Sequence, residues 1–236
     1  QRGEWRVDDI VEVLSSIEVF RDLDRGQVRM IAKRCRRDKY HRRQTIFNYD
    51  DVSADVYIIN SGRVGITMFS EGGKEISFRQ LKPGDMFGEV AAIDRLPRSA
   101  SAVSLSNLEL LRFSDADFLE IMRDMPDVGL RVMQRLTFLV RSLSERIFEF
   151  TTYGVRNRIQ AELLRLAKAS GQDTEIINIY PAPTHADIAS QVSTHREAVT
   201  REFSHLANEG ILEKRGRNLI IRDLVRLENM VNEVVS

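Results

Sequence analysis

Hydrophobic and polar positions change rhythm several times along the chain. Between residues 44 and 114 the apolar positions fall in short β-rich runs: Val56–Asn60, Val64–Phe69, Ile76–Leu81 and Leu108–Phe113. Turn signals separate them, at Ser61-Gly62, Glu71-Gly72-Gly73 and Lys82-Pro83-Gly84-Asp85. Strands this short and evenly spaced predict a small barrel or sandwich. No long helical period interrupts them before about residue 115. From Asp127 to about Phe150 the period becomes helical. Met133, Val140 and Ile147 recur at seven-residue intervals, and Leu136, Leu143 and Phe150 each follow by three. Val and Ile at a with Leu at d favour two parallel strands, and Arg135, Arg141, Glu145, Arg146 and Glu149 fill the other faces. The pattern predicts a dimerisation helix; a helix lying on its own domain is the alternative.

Thr151-Thr152-Tyr153-Gly154 breaks that helix and reads as a hinge. A second helix is expected over Val155–Ala169, ended by Ser170-Gly171-Gln172-Asp173, then a short strand over Ile176–Tyr180 and a connection closed by Pro181 and Pro183. The next stretch carries sharper local signals. Thr184-His185-Ala186-Asp187 opens a helix with a Thr N-cap and Asp at N3, and Ile188, Ala189 and Val192 form its buried face. After a break at Ser193, Thr194-His195-Arg196-Glu197 has the S/T-x-x-E form of a capping box. Ala198, Val199, Phe203 and Leu206 then make a second apolar face. Two short helices around a tight break are a helix-turn-helix. The second exposes Arg196, Glu197, Thr200 and Arg201. Arg can bind guanine O6 and N7 with two bonds, and Glu can accept from cytosine N4. The alternative is that Glu197 only caps and the arginines are only solvated. After Gly210, Ile211–Lys214 and Asn218–Arg222 read as strands flanking a wing, with Lys214, Arg215 and Arg217 placed for phosphates. Thr184 and His195, at the helix starts, join the expected DNA contacts.

Charge refines this picture. The 236 residues carry 35 Lys+Arg against 35 Asp+Glu, which excludes a uniformly basic coat and an acidic disordered chain. Residues 21–43 hold ten basic and three acidic residues, whereas residues 154–236 hold eleven of each. Charge alone would place nucleic acid near the N-terminus. Yet Val28, Met30, Ile31 and Cys35 thread the basic run and read as a short helix with one buried stripe and a solvated basic face. A protein-contact patch is the other reading. One cysteine, Cys35, excludes a disulfide framework and a four-cysteine metal site within one chain. No apolar run approaches the roughly 20 residues that span a bilayer, and no signal peptide opens the chain, so a cytoplasmic location is expected. No Ser/His/Asp set, metal-spaced cluster or paired carboxylates point to an enzyme.

Met86-Phe87-Gly88-Glu89-Val90-Ala91-Ala92-Ile93, followed by Leu96-Pro97-Arg98-Ser99-Ala100, offers a glycine turn into a short helix and then an arginine. Free N–H groups and an arginine suit an anion. Glu89 would repel a phosphate but accept from a sugar hydroxyl, so a cyclic phosphodiester beside a free ribose hydroxyl satisfies both. A turn with a Glu89–Arg98 ion pair is the plain alternative. The segment resembles the phosphate-binding cassette of cyclic-nucleotide-binding domains, F-G-E-[LV]-A-x-x-x-x-x-P-R-[AST]-A. Tyr57-Ile58-Ile59-Asn60-Ser61-Gly62-Arg63-Val64, Gly73-Lys74-Glu75-Ile76 and Leu81-Lys82-Pro83-Gly84-Asp85 are similar to the rest of that β-roll. Arg196-Glu197-x-x-x-Arg201 resembles the recognition helix of the catabolite-activator (CRP/FNR) family, and the resemblance runs from about residue 10 to 230.

The resemblance implies an α+β chain in three parts: a cyclic-nucleotide-binding sensor β-roll (1–126), a dimerisation helix and hinge (127–153), and a winged helix-turn-helix (154–236). It implies a homodimer with Met133, Leu136, Val140, Leu143, Ile147 and Phe150 at the interface. By the same resemblance, cAMP is the allosteric ligand, with no metal. Glu89 would hold the ribose 2′-hydroxyl and Arg98 the cyclic phosphate, aided by Ser99 and by backbone near Gly88 and Ala100. Val90 and Ala91 complete the cassette. Double-stranded DNA with TGTGA-like half-sites and RNA polymerase are the implied partners, and the basic Arg34–Arg43 run is the candidate polymerase contact. One position departs from the family. Where cAMP receptors place a Thr-Ser pair against adenine, this chain has Leu143-Ser144. Leu143 cannot accept from an amino group, Ser144 can still reach a purine, and Ser99 is similar to the residue in cyclic-GMP kinases. Cyclic GMP is therefore a second candidate ligand. A haem-bound gas, with His41 in the sensor half, and a ligand-independent DNA binder are the alternatives.

Overall fold

The alternation of burial along the strands builds two antiparallel sheets and decides what each face meets. The computed structural model describes residues 6–69, 75–172 and 174–232. In chain order the elements are α1 (Val7–Ser15), a 3-10 turn (Glu18–Phe20), α2 (Arg25–Ala32), β1 (Arg36–Tyr40), β2 (Thr45–Phe47), β3 (Val56–Ser61), β4 (Val64–Phe69) and β5 (Glu75–Leu81). They continue with β6 (Met86–Phe87), α3 (Glu89–Asp94), β7 (Ser101–Ser104), β8 (Leu108–Phe113), α4 (Asp115–Asp124) and α5 (Pro126–Thr152). The last are α6 (Val155–Ala169), β9 (Ile177–Ile179), α7 (His185–Gln191), α8 (Arg196–Asn208), β10 (Leu212–Arg215), β11 (Asn218–Ile221) and α9 (Leu224–Asn232). The expected turn Glu71-Gly72-Gly73, with Lys74 after it, lies outside the described residues. So do Asp173 and the outer ends of the two expected terminal domains.

The chain divides into two compact units, Gln1–Val140 and Arg141–Ser236, and α5 belongs in part to each. In the first unit the sheets run β1-β8-β3-β6 and β2-β7-β4-β5. In the first sheet, β3 and β6 are buried along most of their length, so they are apolar on both faces. Tyr57, Ile59, Phe87, Leu108 and Leu110 meet Phe47, Val64, Leu81 and Ala102 of the second sheet. From the opposite face Val56, Ile58, Met86, Leu111 and Phe113 pack on Leu14, Phe20, Ile31, Phe118 and Val132 of the helical layer.

The basic N-terminal run departs from expectation. The helix stops at Ala32; Val28 and Ile31 are buried but Met30 is exposed, and Cys35 lies beyond the helix. Arg36–Tyr40 is a strand, β1, paired antiparallel with β8. It has no apolar stripe because it is a sheet edge, where charged side chains are favoured. Its charges are also paired. Arg37 and Lys39 meet Glu109, Arg34 meets Glu120 at 2.6 Å, Arg29 meets Asp8 and Arg25 meets Glu12. The local excess of positive charge is thus offset by carboxylates from other segments. Burial pushes the Cys35 thiol up to about 12, which favours its protonated form.

In the second unit β9, β10 and β11 form a sheet in the order β10-β11-β9. A single apolar cluster joins α6 through Leu163, α7 through Ile188, α8 through Val199 and Leu206, β11 through Leu219 and α9 through Leu227. α5 stays helical through Thr152, so the break is Tyr153-Gly154 alone and not the four residues from Thr151.

Candidate ligand cradle and DNA-reading face

The cradle grows from a backbone turn that only glycine takes without strain. Gly88 follows β6 with φ +85° and caps α3. A Cβ there would stand 2.7 Å from the Asp55 carbonyl oxygen and 2.9 Å from Arg98 Nη1. Gly88→Ala is expected to cost about 1–3 kcal/mol from the left-handed backbone alone and to push Arg98 aside. Denaturant unfolding and nucleotide calorimetry on the same variant measure the two effects.

Arg98 is buried, at 2 % exposure. Nε donates to Ser53 Oγ at 3.0 Å, Nη1 to the Gly88 carbonyl at 2.9 Å and Nη2 to the Asp55 carbonyl at 2.9 Å. The guanidinium lies over the Phe47 ring, 4.1 Å from its centroid. Its other two N–H groups have no hydrogen-bond partner among the described residues. Burial pulls its pKa below the ordinary guanidinium value, against the opposing pull of Tyr57 and Asp55. The expected alternative of a Glu89–Arg98 ion pair is absent among the described residues; Arg98 is held by carbonyls instead.

Glu89, the first residue of α3, is 4 % exposed. Burial raises its pKa, while a backbone hydrogen bond and the charges of Arg135, Arg79 and Arg98 pull it back. Arg135 donates to the Met86 carbonyl at 2.6 Å and lies 3.8 Å from Asp85. Ala91 is buried, Ala100 is half-buried, and Val90 and Ser99 are exposed. The sequence reading missed Phe47, Ser53, Asp55, Arg79 and Arg135. They come from other strands and from α5, and no local motif marks them. Leu143 and Ser144 stand exposed on α5, in the second unit. The α5 seam is open to solvent at Met133, Val140, Leu143, Ile147 and Phe150. Leu136 is the exception, half-buried against the core of the first unit.

In the second unit Thr184 caps α7 as expected. It accepts from the Asp187 N–H, and Asp187 accepts from the Thr184 N–H at 2.8 Å. The next cap differs from expectation. Ser193 takes φ +50°, Thr194 donates its N–H to the Ala189 carbonyl, and α8 starts one residue late with His195 at the N-cap and no side-chain cap bond. The turn uses Thr194, so Glu197 is not a capping carboxylate among the described bonds. Arg196, Glu197, Thr200 and Arg201 are all exposed on α8, spaced to share one face. Lys214, Arg215 and Arg217 are exposed around Gly216 at the β10–β11 turn; Arg215 pairs with Glu213, and Arg217 lies over the Tyr180 ring at 5.6 Å.

Two buried carboxylates, unforeseen in the sequence, hold α6 to its neighbours. Glu162 pairs with Arg146 at 3.1 Å and with Arg165, whose Nη2 also meets both Glu149 oxygens at 2.7 Å. Arg146 also reaches the Gln191 carbonyl at 3.4 Å, so one side chain touches α5, α6 and α7. Glu202 accepts from Gln160 at 2.6 Å and pairs with Arg156 at 3.0 Å. Among the described residues no group of three His, Cys, Asp or Glu could hold a metal, and no helix is long and apolar enough to cross a membrane.

Residues 37–125 match the cyclic nucleotide-binding domain family, and residues 157–230 match the Crp-like helix-turn-helix domain. The chain is 24 % identical over 217 residues to the CRP-like cAMP-activated global transcriptional regulator of Mycobacterium tuberculosis, covering 92 % of this chain and 97 % of that one. It is 28 % identical over 213 residues to the cyclic AMP receptor protein of Thermus thermophilus, covering 90 % and 95 %. The c-di-GMP responsive global regulator CLP of Xanthomonas campestris shares the fold, with a TM-score of 0.70 at 19 % identity and coverage of 84 % and 99 %. With both domains in this order across most of its length, the chain belongs to the CRP/FNR family of transcription regulators, a cyclic-nucleotide-binding domain followed by a Crp-like helix-turn-helix.

Proposed function

We propose that the protein is a cAMP-responsive homodimeric regulator whose ligand favours binding to palindromic DNA with TGTGA-like half-sites. Arg98 carries this reading. A fully buried guanidinium held by carbonyls, with two N–H groups to spare, is a preorganised site for one anionic group. Glu89 beside it would accept from a ribose hydroxyl. Gly88 keeps the backbone close, as a cradle for a phosphate requires. A cyclic phosphodiester joined to a free hydroxyl matches this donor and acceptor set, and the cAMP-named relatives support the choice of nucleotide. Cyclic GMP is the second candidate. Leu143 offers no acceptor for an adenine amino group, and exposed Ser99 leaves room for a hydroxyl contact.

The seam of α5 supports the dimer. Each large apolar side chain buried there contributes about 1.5–3 kcal/mol, and two copies side by side would bury them together. A dimer sets two recognition helices into successive major grooves about 34 Å apart. Arg196, Glu197 and Arg201 would read bases, and Thr184, His195, Thr200, Lys214, Arg215 and Arg217 would hold the backbone. Polymerase contact through Arg34–Arg43 rests on Arg36, Arg42 and Arg43, since Arg34, Arg37 and Lys39 are already paired with carboxylates.

Selection of sites from random duplexes, with cAMP, with cGMP and without nucleotide, tests this function. The expected product is a two-fold symmetric TGTGA-like site enriched only with nucleotide. Equal enrichment without nucleotide would favour the ligand-independent reading. Arg196→Ala should relax selection at one base pair per half-site and weaken the selected site by about 1–3 kcal/mol. Quantitative competition between matched and singly changed duplexes measures that loss.

A further inference from the structure

His185 opens α7 and lies between the two helices of the helix-turn-helix. Its Nδ1 is 2.8 Å from the Thr200 hydroxyl on α8, and its ring meets the Phe203 ring edge-on, with centroids 4.7 Å apart. The Thr200 hydroxyl has one proton, which it donates to the Arg196 carbonyl at 3.0 Å. With that proton on the Arg196 carbonyl, Thr200 accepts from His185, and Nδ1 then carries a proton whether the ring is neutral or charged. In the neutral ring Nε2 is a bare acceptor. Protonation adds a donor and a positive charge at Nε2 and leaves the bond to Thr200 intact.

The charges felt at this ring are those of Lys214 on β10 and Arg196 on α8. On its own helix the nearest carboxylate, Asp187, is engaged by the N–H and hydroxyl of Thr184, each at 2.8 Å. Burial, then the Lys214 and Arg196 charges, hold the ring below the usual imidazole pKa. A nucleic-acid phosphate arriving at this cationic corner would offset the positive field on the ring.

We propose that His185 is a proton-linked positioning residue of the DNA interface: it braces Thr200 on the recognition helix, and docking of DNA draws a proton onto its Nε2. The inference rests on the reading of α8 as the helix that meets DNA. The sign follows from linkage. A group whose pKa is higher in the complex than in the free protein binds more protons in the complex. Affinity therefore rises as pH falls through the interval between the two values, and levels off below the free-state value. Each engaged His185 can contribute up to about tenfold per pH unit.

The test is fluorescence anisotropy of a labelled duplex bearing two TGTGA half-sites, with saturating cAMP, across slightly acidic to slightly alkaline pH. Wild type should bind about threefold or more tightly at the acidic end. His185→Asn keeps an N–H donor for Thr200 but cannot take the proton, so its affinity should change less with pH than that of wild type. His205→Asn, on the part of α8 that meets Arg156, should keep the wild-type slope. A flat wild-type profile, an unchanged slope in His185→Asn, or a slope lost in His205→Asn instead overturns the proposal. An unrelated duplex at low salt separates the two readings. Proton-linked binding there with no preference for the palindrome would overturn the site specificity and support the His185 proposal. Failure to bind any duplex would overturn both.

Discussion

Arg98→Leu is expected to weaken nucleotide binding by about a hundredfold or more. The side chain is enclosed, and the variant removes the only cation held directly on the Gly88 and Asp55 carbonyls among the described bonds. Losing one partner of a desolvated charge pair costs about 3–5 kcal/mol, or about two to four powers of ten in affinity. Stability also changes, in opposite directions. The carbonyls lose donors, at about 1–3 kcal/mol for each one left dry, while a buried charge is no longer desolvated. The variant should therefore unfold somewhat more readily yet remain folded in dilute buffer. Arg98→Lys separates charge from geometry. A lysine can face an anion but cannot also span Ser53, Gly88 and Asp55, so it should recover only part of the affinity. Calorimetry of the three proteins, with circular dichroism to confirm folding, measures this. Wild-type affinity in Arg98→Leu would remove the cradle from the account.

The second large effect is expected at Glu162, far in sequence from any motif. This carboxylate is 3 % exposed at its side chain and faces Arg146 and Arg165. Burial lowers the pKa of Arg146 more than Glu162 restores it. For Arg165 burial also lowers it, but Glu162 and Glu149 together outweigh burial and raise it. Glu162→Leu leaves Arg146 without its carboxylate in a desolvated corner. The loss is expected near the lower end of the 3–5 kcal/mol range, about 3 kcal/mol, because Arg165 keeps Glu149 and partial exposure. For a unit of this size the thermal midpoint should fall by about 10 °C or more. Backbone amides over Arg141–Thr152 should exchange faster with solvent, because Arg146 and Arg165 tie the end of α5 to α6. Glu149→Gln, at a more exposed partner, should show a much smaller shift. An unchanged midpoint in Glu162→Leu would mean that this cluster does not hold the end of α5.

What could be read from the sequence depended on how local the cause was. The Thr184 cap was legible because the capping group and the N–H it serves are three residues apart. The limits of α6 and the strands Val64–Phe69 and Leu108–Phe113 followed from apolar period and turn residues. The start of α8 was misplaced by one residue, because a left-handed Ser193 spends Thr194 on the turn. Strand β1 was invisible: Arg36-Arg37-Asp38-Lys39-Tyr40 has no apolar face and is a strand only because β8 offers an edge and Glu109 a counter-charge. Helix α1 is legible in the helical period of Val7, Ile10, Val11 and Leu14. In the cradle, Gly88, Glu89 and Arg98 were legible as a motif. Phe47, Ser53, Asp55, Arg79 and Arg135 were not, because only the folded sheets and α5 bring them near the motif. The buried Glu162 looked like any solvated helix charge until its arginines were in place.

The central claim is that a cyclic nucleotide in the Gly88–Glu89–Arg98 cradle sets the affinity of the helix-turn-helix for DNA. The most direct measurement is the affinity of the full-length protein for a palindromic TGTGA duplex at fixed salt and pH, as cAMP is raised from zero to saturation. The account predicts that affinity rises by about tenfold or more, a coupling of roughly 1.4 kcal/mol or more, and that Arg98→Leu stays at the nucleotide-free value throughout. Wild-type affinity that is the same with and without cAMP or cGMP, in a folded protein that binds the duplex, would contradict it.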